Sequence, residues 1–240
     1  MRAIIVDDER LARNELRRML RHFREIDIIG EAADAESAIK LIAQVNPDLV
    51  FLDIQMPGRD GFDLLEELSP VPHVVFTTAF DTYALRAFEV NALDYLLKPI
   101  DPRRLAEAIQ KVLAEAPRVH AAPKQTGTIL GADDRVFVKD GERCWFVRLG
   151  DVRVMKSEGN YTRLYFDEHK PLILRTLNQL DAKLDRKAFF RCDRKYIINL
   201  KYIESIDQDT EGRITVGMRQ MPDVHMSRRR SQEFRELLSI

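Results

Sequence analysis

Asp48-Leu49-Val50-Phe51-Leu52-Asp53-Ile54-Gln55-Met56-Pro57-Gly58 is the most informative stretch of this chain. Leu49 to Leu52 form an unbroken apolar run that ends in a carboxylate and then in a Pro-Gly turn. A short run without alternation suits a strand buried on both faces, as in a parallel sheet covered by helices. In open α/β sheets the chemistry lies just beyond the carboxyl ends of the strands. Asp53 therefore stands where a reactive group would be placed, although a turn-initiating aspartate has the same signature.

Other strand ends carry chemistry too. Ala3-Ile4-Ile5-Val6 is a buried strand followed by Asp7-Asp8-Glu9. Asp8 would serve as a helix cap there, yet a cap needs one carboxylate and adjacent carboxylates repel. A strand over Ile26–Gly30 and a helix over Glu36–Val45 precede the Asp53 strand, and a short helix over Phe62–Leu68 comes after it. His73–Thr78 is a strand ending in hydroxyls, Thr82–Val90 reads as a helix, and Tyr95-Leu96-Leu97 is a strand running into Lys98-Pro99. Asp101-Pro102 caps and opens a helix to about Leu113. Strands alternating with helices predict a doubly wound, five-stranded parallel α/β sheet. Its carboxyl edge would gather Asp7/Asp8, Asp53, Thr77/Thr78 and Lys98. Three carboxylates suit Mg²⁺, which prefers hard oxygen donors. Asp53 would attack phosphorus to give an acyl phosphate, with Lys98 and the metal offsetting charge on the transferred group.

The net charge of −1 hides an asymmetry. Residues 1–117 carry 14 Lys/Arg against 21 Asp/Glu, and residues 118–240 carry 24 against 18. An acidic half joined to a basic half predicts two domains with different partners, the basic one suited to nucleic acid. We expect a first domain over 1–117, a Pro-containing linker over 118–129, and a second domain over 130–240. The two cysteines, Cys144 and Cys192, lack metal-ligand spacing, and the N-terminus turns acidic by Asp7. A reduced, cytoplasmic setting without membrane insertion is expected.

Residues 1 to about 117 resemble the receiver domain of two-component response regulators. Asp7-Asp8, Asp53 with Met56-Pro57-Gly58, Thr78-Ala79, Tyr95 and Lys98-Pro99 carry the resemblance. It implies that Asp53 accepts phosphate from a histidine kinase, expected to be a membrane-bound sensor. It implies Mg²⁺ on Asp8, Asp53 and the backbone carbonyl of Gln55, supported by Asp7. Thr78 and Tyr95 would form the switch pair, Lys98 would contact the phosphoryl group, and the Lys98–Pro99 peptide would be cis.

Past the linker the pattern changes to many short strands, with Asp140-Gly141 as a hairpin turn and one helix around Leu177–Leu184. Arg191, Arg194 and Lys195 form one basic cluster and Arg228-Arg229-Arg230 another. Such runs are often only solvated surface, but in a net-basic domain they point to phosphate contacts. This half resembles the LytTR-type DNA-binding domain through Ser157–Tyr161, Thr176–Leu184, Phe190-Arg191 with Tyr196–Asn199, and Met226–Arg228. The resemblance implies a mostly-β domain whose loops enter the major groove of double-stranded DNA. The expected contact set is Asn160, Tyr161, Arg163, Arg191, Arg194, Lys195, Asn199, Arg228, Arg229 and Arg230, with Asn and Arg suited to base edges. Asp193 and Lys195 stand where the family often has His and Ser, and Asp193 is expected to pair with Arg191 or Arg194.

The expected function is regulation of transcription without enzymatic activity, with phosphorylation promoting a homodimer. A protein-binding second domain and a Mg²⁺-dependent phosphohydrolase are the alternatives. An NTPase is excluded by the lack of a G-x-x-x-x-G-K-[ST] motif.

Overall fold

A computed structural model describes residues 1–79, 94–115, 129–141 and 143–238. The helix expected over Thr82–Val90 lies outside them. The chain divides into two compact units. One comprises Met1–Thr128, Arg135–Phe137 and Gly141–Phe146; the other comprises Ile129–Asp134, Val138–Asp140 and Val147–Ile240.

In the first unit, strands β1 (Arg2–Val6), β2 (Asp27–Ala32), β3 (Leu49–Asp53), β4 (His73–Thr78) and β5 (Asp94–Leu97) form a parallel sheet in the order β2-β1-β3-β4-β5. Every residue of β3 is buried, as the unbroken apolar run requires of a central strand. Side chains alternate between two cores. Ile4, Val50, Leu52 and Phe76 pack on one face with helices α2 (Ala35–Val45) and α3 (Gly61–Glu67). Ile5, Phe51 and Val75 pack on the other with α1 (Arg10–Leu20) and α4 (Pro102–Glu115). Phe137 and Cys144 also lie in the first of these cores, with the Phe62 and Phe137 rings 6.1 Å apart.

Helix starts obey capping chemistry. The Asp34 and Asp60 carboxylates accept N–H groups at the starts of α2 and α3, and Asp101 accepts those of Arg103 and Arg104 in α4. At α1 the capping alternative for Asp8 drops out: the N-cap is Glu9, with no side-chain cap bond. The Asp8 carboxylate is thus not engaged in holding the helix.

The second unit is mostly β. Strands β8 (Val154–Glu158), β9 (Tyr161–Tyr165), β10 (Leu172–Ile173), β11 (Phe189–Arg191) and β12 (Tyr196–Asn199) form an antiparallel sheet ordered β10-β9-β8-β12-β11. A three-stranded sheet, β13 (Ile203–Gln208), β14 (Ile214–Met218) and β15 (Val224–His225), shares a core with it. Strands β6 (Arg135–Asp140) and β7 (Arg143–Arg148), whose residues are divided between the two units, form the expected hairpin, with Gly141 at φ +62° in its turn. Thr176 and Gln179 form a capping box on α5 (Leu177–Asp181). Helix α6 (Arg228–Leu238) buries Phe234 against Phe190, ring centroids 5.0 Å apart.

Candidate functional site

The carboxyl edge of the parallel sheet gathers the residues its strand ends deliver. Ligand oxygens of Asp7, Asp8 and Asp53 all lie within 4.8 Å of one another. Lys98 Nζ lies 2.6 Å from Asp53 Oδ2 and 2.8 Å from Asp7 Oδ2, so one ammonium bridges two buried carboxylates. The Gln55 N–H donates to Asp53 Oδ1 at 3.0 Å and fixes the plane of the carboxylate. Burial pushes the Asp53 carboxyl above its ordinary range, against the opposing pull of Lys98 and the Gln55 N–H; Asp7 adds to the rise. Burial draws the Lys98 ammonium down, but bonds and charge from Asp53 and Asp7 more than offset this, and its pKa is raised. One cation thus serves two carboxylates in a partly dry site.

Backbone shape supports the site. Gly61 lies so close that a Cβ there would meet the Asp53 carbonyl oxygen at 2.5 Å. Any side chain at that position would push directly on the phosphoacceptor candidate. Lys98 is followed by a cis peptide to Pro99, and its N–H donates to the Thr78 carbonyl at 2.7 Å. Thr78 is fully buried at the end of β4. Tyr95 lies opposite Phe76 in the strand register and packs, half-buried, on the same core.

Sequence reasoning missed Arg13. Its guanidinium donates to the carbonyls of Asp7 at 2.6 Å and Asp8 at 3.2 Å, and its Nε to Glu31 at 3.3 Å. It therefore clamps the turn that presents both carboxylates. The available signal was an arginine one helical turn past the acidic pair, which reads as ordinary amphipathic surface.

The second unit presents a different kind of surface. Strand directions and register bring three turns to one end of the five-stranded sheet: Gly159-Asn160, Leu174-Arg175 and Asp193–Lys195. Four inter-strand spacings make that end roughly 19 Å wide, enough to span a major groove about 12 Å wide and touch flanking phosphates. Asn160, Arg194 and Lys195 are exposed there, and Tyr161 is 43% exposed. Neither Arg194 nor Lys195 has a side-chain ion pair among the described residues.

Other expected contacts are placed elsewhere. Asn199 is 2% exposed, and its amide donates to the carbonyls of Gly150 at 3.1 Å and Val152 at 3.0 Å while its Oδ1 accepts the Lys201 N–H. It cannot face base edges, and its expected role as a reader is corrected to one of holding the core. Arg163 is engaged by both Glu158 oxygens, at 2.9 and 2.7 Å, and by the Lys170 carbonyl. Arg191 folds back on its own turn, donating to the carbonyls of Asp193 and Arg194. The Asp193 carboxylate pairs with neither arginine. Its Oδ1 accepts the N–H groups of Lys195 and Tyr196, both at 2.7 Å, and shapes the turn.

The second basic cluster opens α6. Arg228 reaches Glu211 at 3.1 Å, Arg229 reaches Glu233 at 3.0 Å, and Arg230 pairs with Glu233 while lying over the Phe190 ring at 5.2 Å. Surface pairs of this kind are weak and can be exchanged for phosphate.

Comparison with known proteins covers both halves of the chain. Residues 3–110 match the model of the response regulator receiver domain, and residues 142–239 match that of the LytTr DNA-binding domain. A response regulatory protein of Vibrio cholerae is 37% identical over 238 residues, 98% of each chain. The sensory transduction protein LytT of Enterococcus faecalis is 31% identical over the full length of both chains. The transcriptional regulatory protein BtsR of Salmonella typhi is 33% identical, again over the full length of both.

Proposed function

The chain belongs to the response regulators that carry a receiver and a LytTR DNA-binding domain, and we propose that phosphorylation of its Asp53 by a histidine kinase governs its hold on DNA. Support comes above all from the Lys98 ammonium bridging Asp7 and Asp53 beside a cluster of three carboxylates. Domain limits of 1–117 and 130–240, with 118–129 as the linker, are part of the same proposal.

The donor set fits Mg²⁺, being made of hard carboxylate oxygens that converge. Asp8 and Asp53 would hold it with the Gln55 carbonyl, and Asp7 would support them. When bound, the ion supplies positive charge that offsets the charge on the transferred phosphoryl group. The chain's own residues do the rest. The Gln55 N–H orients the Asp53 carboxylate, one oxygen of which forms the new bond to phosphorus as the donor's P–N bond breaks. Lys98 exchanges its bond with Asp53 Oδ2 for one with a phosphoryl oxygen. Thr78 turns its hydroxyl to another such oxygen, and Tyr95 moves into the space behind it. This couples a charge change to repacking around β5 and α4.

A repacked surface of this kind favours a homodimer. Each base contact discriminates by roughly 1–3 kcal/mol, short of the roughly 4–10 kcal/mol that separates specific from non-specific binding. Two linked copies bridge the gap on paired sites roughly 10 bp apart or a multiple of that. The protein acts in the cytoplasm, opposite a membrane-bound sensor kinase, as a regulator and not as a phosphohydrolase. No helix among the described residues is long and apolar enough to cross a membrane.

The test is labelling of the full chain by acetyl phosphate with and without Mg²⁺. Metal-dependent labelling of wild type and none of Asp53→Asn is expected; stable labelling of Asp53→Asn sinks the assignment.

A further inference from the structure

Leu174 is the most conspicuous apolar side chain at the turn-lined end of the second unit. It is 73% exposed. A single exposed leucine is ordinary; its surroundings are what give this one meaning. Strand β10 ends at Ile173, paired with Thr162; Leu174 lies at the bend just beyond it, at the same sheet end as Tyr161, itself 43% exposed. The Arg175 N–H donates to the Ile173 carbonyl at 2.9 Å across Leu174, and the Thr162 hydroxyl donates to the Arg175 carbonyl at 2.7 Å, which holds the bend against β9. Two exposed apolar side chains thus sit in the same row of turns as Asn160, Arg194 and Lys195.

We propose that Leu174 and Tyr161 read thymine, by closing on its C5-methyl group in the major groove. This rests on the DNA-binding reading above. Charge selects the occupant: the same row of turns carries the exposed cations Arg194 and Lys195, which suit a polyanion. Chemistry selects the base, because the thymine methyl is the apolar feature that the major-groove edge of standard DNA offers. Leu174 and Tyr161 therefore supply specificity at positions where no hydrogen bond is made, while Arg194 and Lys195 fix the turns on the backbone.

The experiment isolates that methyl. Duplexes retained by the full chain from a random 30-bp library are resynthesised with deoxyuridine in place of thymidine and titrated against wild type, Leu174→Ala and Arg194→Ala. Wild type should bind the thymidine pool about fourfold more tightly per methyl contacted, the effect of burying one CH₂-sized group. Leu174→Ala, a change at an exposed position, should bind both pools nearly alike. Arg194→Ala should weaken both and keep the ratio. A wild type indifferent to the methyl, or a Leu174→Ala variant with an undiminished ratio, overturns the proposal while leaving DNA binding intact. Weaker self-association of Leu174→Ala, with the ratio unchanged, would assign the pair to contact between copies and also overturn it. Failure to retain any duplex overturns the DNA-binding reading beneath it.

Discussion

The acidic site of the first unit and the turn-lined sheet end of the second are built on opposite principles. At the first, Asp7, Asp53 and Thr78 are buried, and Lys98 and the Gln55 N–H hold the Asp53 carboxylate from two sides. At the second, Asn160, Tyr161, Leu174, Arg194 and Lys195 stand exposed on turns whose shape is kept by groups behind them, such as Asp193 and Arg191. Chemistry on a phosphoryl group needs a fixed, partly dry arrangement; reading a duplex needs groups free to reach outward. The same residue types therefore have different duties. Arginine clamps a turn at position 13, supports one at 191, and stands exposed at 194.

Substitutions probe that division. The largest effect is expected at Asn199. Replacing it by Ala leaves two buried carbonyls without their donor and should lower stability by about 3 kcal/mol. Urea unfolding measures this. A stable Asn199→Ala protein with relaxed sequence preference would return the residue to the reading surface. Arg13→Ala should come next, at about 2 kcal/mol for lost charged hydrogen bonds. It should also lower Mg²⁺ affinity in calorimetric titration, with partial rescue by Arg13→Lys. Unchanged affinity would reduce Arg13 to a packing role.

A smaller effect of opposite sign is expected at Asp53. Its pKa is raised in the folded protein, so the folded state binds that proton more tightly than the unfolded state. The associated stability is present below the unfolded carboxyl pKa and is lost as pH rises through the folded one. Without metal, Asp53→Asn should thus melt higher than wild type at neutral pH, and the two should converge on acidification. A lower melting temperature at neutral pH would contradict the burial argument. Least of all, Arg229→Ala should change stability by no more than about 0.5 kcal/mol, because its pair with Glu233 is exposed. If it meets phosphate it should lower the salt slope of DNA binding by about one unit.

How much of this is written in the sequence differs between the two sites for a physical reason. Buried parallel strands announce themselves as short apolar runs, and the residues just past the end of each run must sit at one edge of the sheet. Asp7, Asp53, Thr78 and Lys98 were legible in that way. Whether Asp8 caps the first helix was not, because a carboxylate next to a helix start looks the same whether or not it bonds the helix. Antiparallel strands made the second half legible as mostly β, but the duty of a polar residue there depends on pairing register. Asn199 ends an apolar strand as plausibly as a surface reader would, and only its bonds to Gly150 and Val152 place it inside. Leu174 carries no signal at all until strand pairing sets it at the same sheet end as Tyr161.

Control of DNA affinity by the state of Asp53 can be measured by titrating the full chain against duplexes it retains from genomic DNA. The titrations run with and without acetyl phosphate and Mg²⁺, for wild type and Asp53→Asn. Equal basal affinity is expected for the two proteins, with a gain on phosphodonor in wild type alone, larger on paired than on single sites. An equal gain in Asp53→Asn, or a phosphorylated wild type with unchanged affinity, would contradict that control.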